Sequence, residues 1–395
     1  MSASSDRLVG IDLARLVAVA GMMAAHTLET NAAPVVALMD GPPSTLFAVL
    51  GGVSVMLAAR SRLAAGERGA AVRSTLARGL VVLVLGFLIQ PFAWAVYVVL
   101  APFGVAIMAA SVFLLLPAWA VAASALVLAA VSGSVVAVVM DRFGVLDGTH
   151  SLTTLVADPL GTAQDVLLTG VYPAITWLTY VLIGMLVARV VVAARAHGRE
   201  RWTLAALAAF GAVLVALGLG ASELGLRLVG GVLFPGDPAL ARDELLTPAF
   251  GGVPSPEPVW QLLAAPHSGT PADIARTVGI ALLVIAVLSL LAAVLPARAL
   301  RAIEPLRAAG SAPLTIYVVH VTLLSALGLL QTDWLVDGWG AWLVQVAIAL
   351  CIGALLASSG ARGPLETVVG RFADAAGPRP LADATASESP SDRRD

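Results

Sequence analysis

The sequence predicts an all-α fold, a polytopic membrane helix bundle of about ten transmembrane helices. Three observations carry this expectation. Of 395 residues, 59% are hydrophobic and only 12% charged, against about 25% charged in an ordinary soluble domain. Apolar stretches long enough to cross a hydrocarbon core of roughly 30 Å recur from end to end. The 23 basic residues, every one an arginine, gather in alternate connections between those stretches, which is the asymmetry that sets membrane orientation.

The elements follow in order. Residues 8–28 form the first span. The polar start before it has neither the charged beginning nor the small-residue cleavage site of a removable signal, so this span is expected to stay attached. Spans at 43–60 and 75–91 are joined by a link flanked by Arg60, Arg62, Arg68, Arg73 and Arg78. Residues 94–116 and 118–140 read as two spans with only Pro117 and Trp119 to break them. Span 171–193 opens on Tyr172, Trp177 and Tyr180 and is followed by Arg195, Arg199 and Arg201. After 203–222 comes 272–295, whose start has a cap residue, Thr270, then Pro271 at the first position and Asp273 in the first turn. Arg298, Arg301 and Arg307 precede 311–331, and 339–358 carries the single cysteine, Cys351, read as a buried packing thiol. One cysteine allows no intramolecular disulfide.

With ten spans, all the arginine-rich links fall on one side together with both termini, and that side is expected to be the cytoplasm of a bacterial plasma membrane. Two long connections then face outward, about 141–170 with His150, read as an ordinary loop residue, and about 223–271 with His267. Residues 1–372 form one transmembrane unit, and 373–395, rich in Pro, Ala, Ser and charge, read as a disordered cytoplasmic tail. The net charge of -2 excludes a strongly basic nucleic-acid binder.

Four constellations are candidates for chemistry. The first span carries Asp12, Arg15, His26 and Glu29, and charges in a bilayer mark functional sites. Asp12 and Arg15 are three apart, as are His26 and Glu29, and a separation of eleven returns His26 to nearly the face of Arg15. Along the helix Arg15 and His26 lie roughly 16 Å apart. An imidazole beside a carboxylate can serve as a general base, or the pair can be an interfacial hydrogen bond. The second constellation is His267 and Ser268, just before the capped helix, where function and plain capping are both open. The third is Tyr317 and His320, three apart on one helix face and open either to substrate or to interhelical hydrogen bonding. The fourth is Tyr172 with Trp177, either an interfacial aromatic belt or a stacking platform for sugar rings. The sequence has no P-loop, HExxH or GxSxG, and its five histidines are dispersed, so no metal site is predicted.

These residues resemble a known family. The stretch from Arg7 to His26 resembles the first span of integral-membrane acyltransferases, and Arg15 with His26 reproduces the Arg-x10-His spacing of acyltransferase family 3. The whole layout is similar to heparan-alpha-glucosaminide N-acetyltransferase-like and YeiB-like proteins. The resemblance includes Gly41–Val55, the stretch 172–189, PHSGT at 266–270, APLTIYVVH at 312–320 and Arg362–Arg371. It implies transfer of an acyl group, commonly acetyl, from cytoplasmic acyl-CoA to a sugar or similar acceptor at the outer side. It makes His26 the leading catalytic residue and places Arg15 on the acyl-donor side; from their own positions Glu29 and His267 are expected beside His26, and Asp12 beside Arg15. Ser268, Tyr172, Trp177, Tyr317 and His320 are the expected acceptor contacts. Membrane lipid is an expected partner, and a homo-oligomer is left open. One departure stands out. Related bacterial chains often have a basic residue after the glycine of the second-span motif, where this chain has Pro42 and Pro43. A transporter or exporter using the same polar stripe is the rival reading, and a non-catalytic scaffold is a third.

Overall fold

The structure, a computed structural model, describes residues 9–28, 38–144, 149–249, 252–330 and 333–378. Glu29 and residues 379–395 of the expected tail lie outside the described residues. Ten main helices follow the ten apolar stretches in order. They are α1 (Val9–Thr27), α2 (Pro42–Ala64), α3 (Arg68–Ile89), α4 (Leu100–Phe113) and α5 (Ala118–Phe143), then α6 (Ala174–Ala196), α7 (Glu200–Gly225), α8 (Pro271–Val294), α9 (Pro313–Leu329) and α10 (Gly338–Ser359). A further helix, α11 (Pro364–Ala376), closes the described chain.

The chain is an all-α polytopic membrane protein. Among the described residues eight helices are long and apolar enough to cross a bilayer, and α9 joins the helix Glu304–Gly310 at a 78° bend as a broken ninth. The expected span at 94–116 is the exception. Its helix, α4, has 14 residues and rises only about 21 Å, short of the roughly 30 Å core. Residues 93–99 turn instead, and side chains satisfy their backbone. Gln90 accepts from the Val98 amide at 3.2 Å and donates to the Ala93 and Val96 carbonyls, while Ser325 accepts from Ala95 and Tyr317 from Val99. Irregular backbone at membrane depth survives where protein groups pair it like this. Hydropathy alone does not tell such a turn from a helix.

The bundle closes tightly where α2 crosses α6. A Cβ at Gly52 would run into the Val181 carbonyl, and one at Gly184 into the Val49 carbonyl. Small residues on both helices let the backbones touch, the usual device where lipid gives no hydrophobic drive for association. α10 buries only a narrow stripe of Ala341, Gln345, Ala349 and Gly353. Cys351 is off that stripe and exposed, so the expected buried thiol faces out of the bundle.

α11 carries order beyond the expected boundary at residue 372. Arg62, 1% exposed, donates to the Asp374 carboxylate and the Gly377 carbonyl, both at 2.7 Å. The 149–173 connection is also built rather than loose. It holds two short helices, Leu152–Ala157 and Pro159–Gln164. His150, read from sequence as an ordinary loop residue, is buried with Nδ1 3.2 Å from Asp165, and burial pushes it down to about 4.

Candidate active site

The helices alternate so that polar groups collect at two ends of the bundle. At the end of the arginine-rich links a pocket of about 440 Å³ is lined by Asp12, Arg15, Glu304, Arg307, Arg362 and Glu366. Asp12, predicted at the donor site, serves as a bridge. It pairs with Arg15 on its own helix and, at 3.1 Å, with Arg307. Arg15 also donates to Ser54 of α2 at 2.9 Å. Glu366 reaches from α11 to accept from the Leu314 and Thr315 amides and the Thr315 hydroxyl. It thereby caps the first turn of α9, whose own N-cap residue, Ala312, has no side-chain oxygen. A narrower apolar slot of about 140 Å³ leads on from Arg15 past Ser54 to Phe47 and Phe103.

At the opposite end lies a cavity of about 490 Å³, whose walls include His26, Asp40, Tyr97, Tyr172, His267 and Tyr317. His26 ends α1 and meets α9, its Nδ1 lying 2.9 Å from Nε2 of His320. His320 itself is 1% exposed, so it touches the cavity only through His26. One ring nitrogen of His26 is thus occupied, which leaves Nε2 for whatever enters. Arg15 lines the pocket at the end of the arginine-rich links, and His26 lines the cavity at the other end.

His267 faces the same cavity from the connection before α8. Its Nε2 lies 2.6 Å from Asp40 Oδ1, and Tyr172 packs edge-on against its ring at 5.2 Å. The backbone there is left-handed (φ 62), and Gly269, two residues on, has φ 63. Two left-handed residues within three positions turn the chain sharply just before the helix that follows. Thr270 caps that helix as predicted, accepting from the Asp273 amide at 3.1 Å. Ser268 is buried against Thr270 at 3.2 Å, and it belongs to the turn and not to the cavity wall. Trp177 also lies behind the wall, 3% exposed, between Tyr172 and Phe103. Tyr317 and Tyr172 both line the cavity.

Two contributions escaped the sequence reading. Asp40 precedes a glycine-proline turn and reads as a loop acid; only the fold brings it to His267. The cavity wall formed by residues 95–99 sits in a stretch taken for a span. The prolines that depart from the second-span pattern have a counterpart in space, because the Arg276 guanidinium lies against Gly41 while its Nη2 pairs with Asp273 at 2.9 Å. No group of three or more metal-ligating side chains occurs among the described residues.

Fold and site together define a polytopic membrane protein with an arginine-bearing pocket at one end and a histidine-bearing cavity at the other. Residues 7–226 match the family described as heparan-alpha-glucosaminide N-acetyltransferase, catalytic. The chain belongs to that family, and so to the membrane acetyltransferases. His267 and His320 lie beyond the matched residues, and the fold returns both to His26. Comparison with curated proteins and with solved structures gave no match.

Proposed function

We propose that the protein transfers an acetyl group from cytoplasmic acetyl-CoA to an amino sugar or related carbohydrate in the outer cavity, with His26 as general base. The observation that carries this reading is the His26–His320 hydrogen bond beside a cavity at the end of the bundle away from the arginine-rich links. It engages Nδ1, so Nε2 is the nitrogen left to meet an acceptor in the cavity. The acceptor's amine or hydroxyl attacks the thioester carbonyl, a C–N or C–O bond forms, and its proton goes to His26 Nε2. As the C–S bond breaks, the same proton returns to the departing thiolate, giving CoA thiol and acetylated acceptor. Arg15, Arg307 and Arg362 favour the CoA phosphates at the inner pocket. Asp40, His267 and Tyr172 supply the polar and aromatic contacts a sugar needs.

The test is acetyl-CoA turnover with a panel of amino sugars. His26→Gln should lower the rate by about 10² to 10⁴ while acetyl-CoA still binds. Wild-type turnover in that variant would remove His26 from the mechanism. An exporter using the same polar groups would release no CoA thiol.

A further inference from the structure

The two ends of the bundle differ in charge. The pocket at the arginine end is lined by Arg15, Arg307 and Arg362 together with Asp12, Glu304 and Glu366, and guanidinium groups suit phosphates. The histidine-bearing cavity is the opposite. Among the described residues no arginine lines it, and the chain has no lysine. The segments within the bundle that lie outside the described residues, 29–37, 145–148, 250–251 and 331–332, contain no basic residue either. One guanidinium lies behind the wall, that of Arg276 against Gly41, and Asp273 offsets its charge at 2.9 Å.

Asp40 is the only carboxylate in the cavity wall among the described residues. His267 Nε2 occupies its Oδ1 at 2.6 Å. Its Oδ2 has no hydrogen-bond partner among the described residues, although the side chain is only 17% exposed. A carboxylate oxygen held this far from water needs a donor, and a charged donor makes the stronger bond. A sugar hydroxyl supplies the donor alone, whereas an ammonium supplies donor and charge. A sulfate, phosphate or carboxylate on the acceptor brings like charge to Asp40 with no cation in the wall to offset it, and such juxtapositions are costly. Tyr97, Tyr172 and Tyr317 complete the wall with aromatic surface of the kind that attracts cations.

We propose that the acceptor is an amino sugar free of sulfate, phosphate and carboxylate groups, and that Asp40 is the residue that selects it. The proposal rests on the cavity being the acceptor site. It makes the transfer an N-acetylation. An ammonium has no lone pair, so one proton leaves to solvent before the amine attacks. The second follows the route through His26 Nε2 to the CoA thiolate, and each transfer releases one proton.

The experiment is saturation-transfer NMR titration of the protein in lipid nanodiscs without acetyl-CoA. The probes are glucosamine, galactosamine, mannosamine, glucose and glucosamine 6-sulfate. At least one of the three plain amino sugars should bind about tenfold or more tighter than glucose and than glucosamine 6-sulfate. Asp40→Asn should weaken that amino sugar by about tenfold and narrow its lead over both others. Met39 also lines the cavity, and Met39→Lys, close in length, should improve glucosamine 6-sulfate relative to glucosamine. The proposal is overturned if none of the three amino sugars binds, if the sulfated sugar binds wild type as tightly as they do, or if Asp40→Asn leaves the order of affinities unchanged. Binding is read without chemistry. Selective binding with no release of CoA thiol would count against acetyl transfer alone, and equal turnover of glucosamine and its 6-sulfate would count against the selection alone.

Discussion

His267 Nε2 lies 2.6 Å from Asp40 Oδ1, and the two residues reach each other from segments 227 positions apart in sequence. The pair sits in the wall of the histidine-bearing cavity, away from the arginine-bearing pocket. Its loss should therefore act on the acceptor and spare the donor. Asp40→Asn removes the charge and keeps the shape. His267→Asn tolerates the left-handed backbone, which alanine would not. Each should lower kcat/KM for the acceptor by about 10- to 100-fold, the cost of one hydrogen bond to a charged group. Acetyl-CoA affinity should stay as in wild type. A matching loss of donor affinity would place the pair in a different role.

Orientation has a direct test. The arginine bias puts the link between α2 and α3 inside and the connection before α8 outside. Glu67 and Asp243 are exposed at those two places. In cells expressing Glu67→Cys or Asp243→Cys, each with Cys351→Ser, an impermeant maleimide should label position 243 and not 67. The reverse pattern would invert the protein and with it the proposed direction of transfer.

His150 gives the protein a pH-dependent stability. Burial holds its folded-state pKa at about 4, against 6.5 when unfolded. As pH falls below 6.5 the unfolded chain takes up a proton that the folded one refuses. This part of the stability is therefore complete above about pH 6.5 and is lost progressively toward pH 4. At about 1.4 kcal/mol per pKa unit the loss approaches roughly 3 kcal/mol, reduced by any attraction to the Asp165 carboxylate 3.2 Å away. His150→Gln lacks this slope. Melting curves of both proteins between pH 7.5 and 4.5 should converge on acidification, and parallel curves would mean that His150 is not held neutral.

Span order, the cap at Thr270 and the opposed placement of Arg15 and His26 were legible in the sequence because each depends on local periodicity. The partners of the histidines were not. His26 joins His320 across 294 positions, and Asp40 lies in a turn with no pattern to mark it. Helix period says which residues share a face but not which helix that face meets. The turn at 93–99 was hidden for another reason. Its composition is as apolar as a span, and the distinction lies in Gln90, Ser325 and Tyr317, which pair its backbone from elsewhere.

The last prediction concerns the partition between the two ends. Arg15 lines the slot at one end and His26 the cavity at the other, and the two spaces have no lining residue in common. What separates them is aromatic. Phe47 closes the slot, Tyr317 walls the cavity, and their ring centroids are 6.1 Å apart. Tyr317 is held by its bond to the Val99 amide, which leaves Phe47 as the group to move when a thioester bound near Arg15 is to meet His26. Shortening it should ease passage for water as well as for the pantetheine arm. Phe47→Leu should raise acetyl-CoA hydrolysis without acceptor by about tenfold or more, roughly 1.4 kcal/mol of barrier. Phe47→Trp should lower acetyl transfer by a similar factor. Neither should change acetyl-CoA affinity, because the arginines are untouched. Leucine is chosen over alanine because Phe47 is 6% exposed, and a Phe→Ala cavity costs about 3 to 5 kcal/mol. Monodisperse elution with wild-type hydrolysis and transfer in both variants would mean that the acyl group reaches His26 by another path.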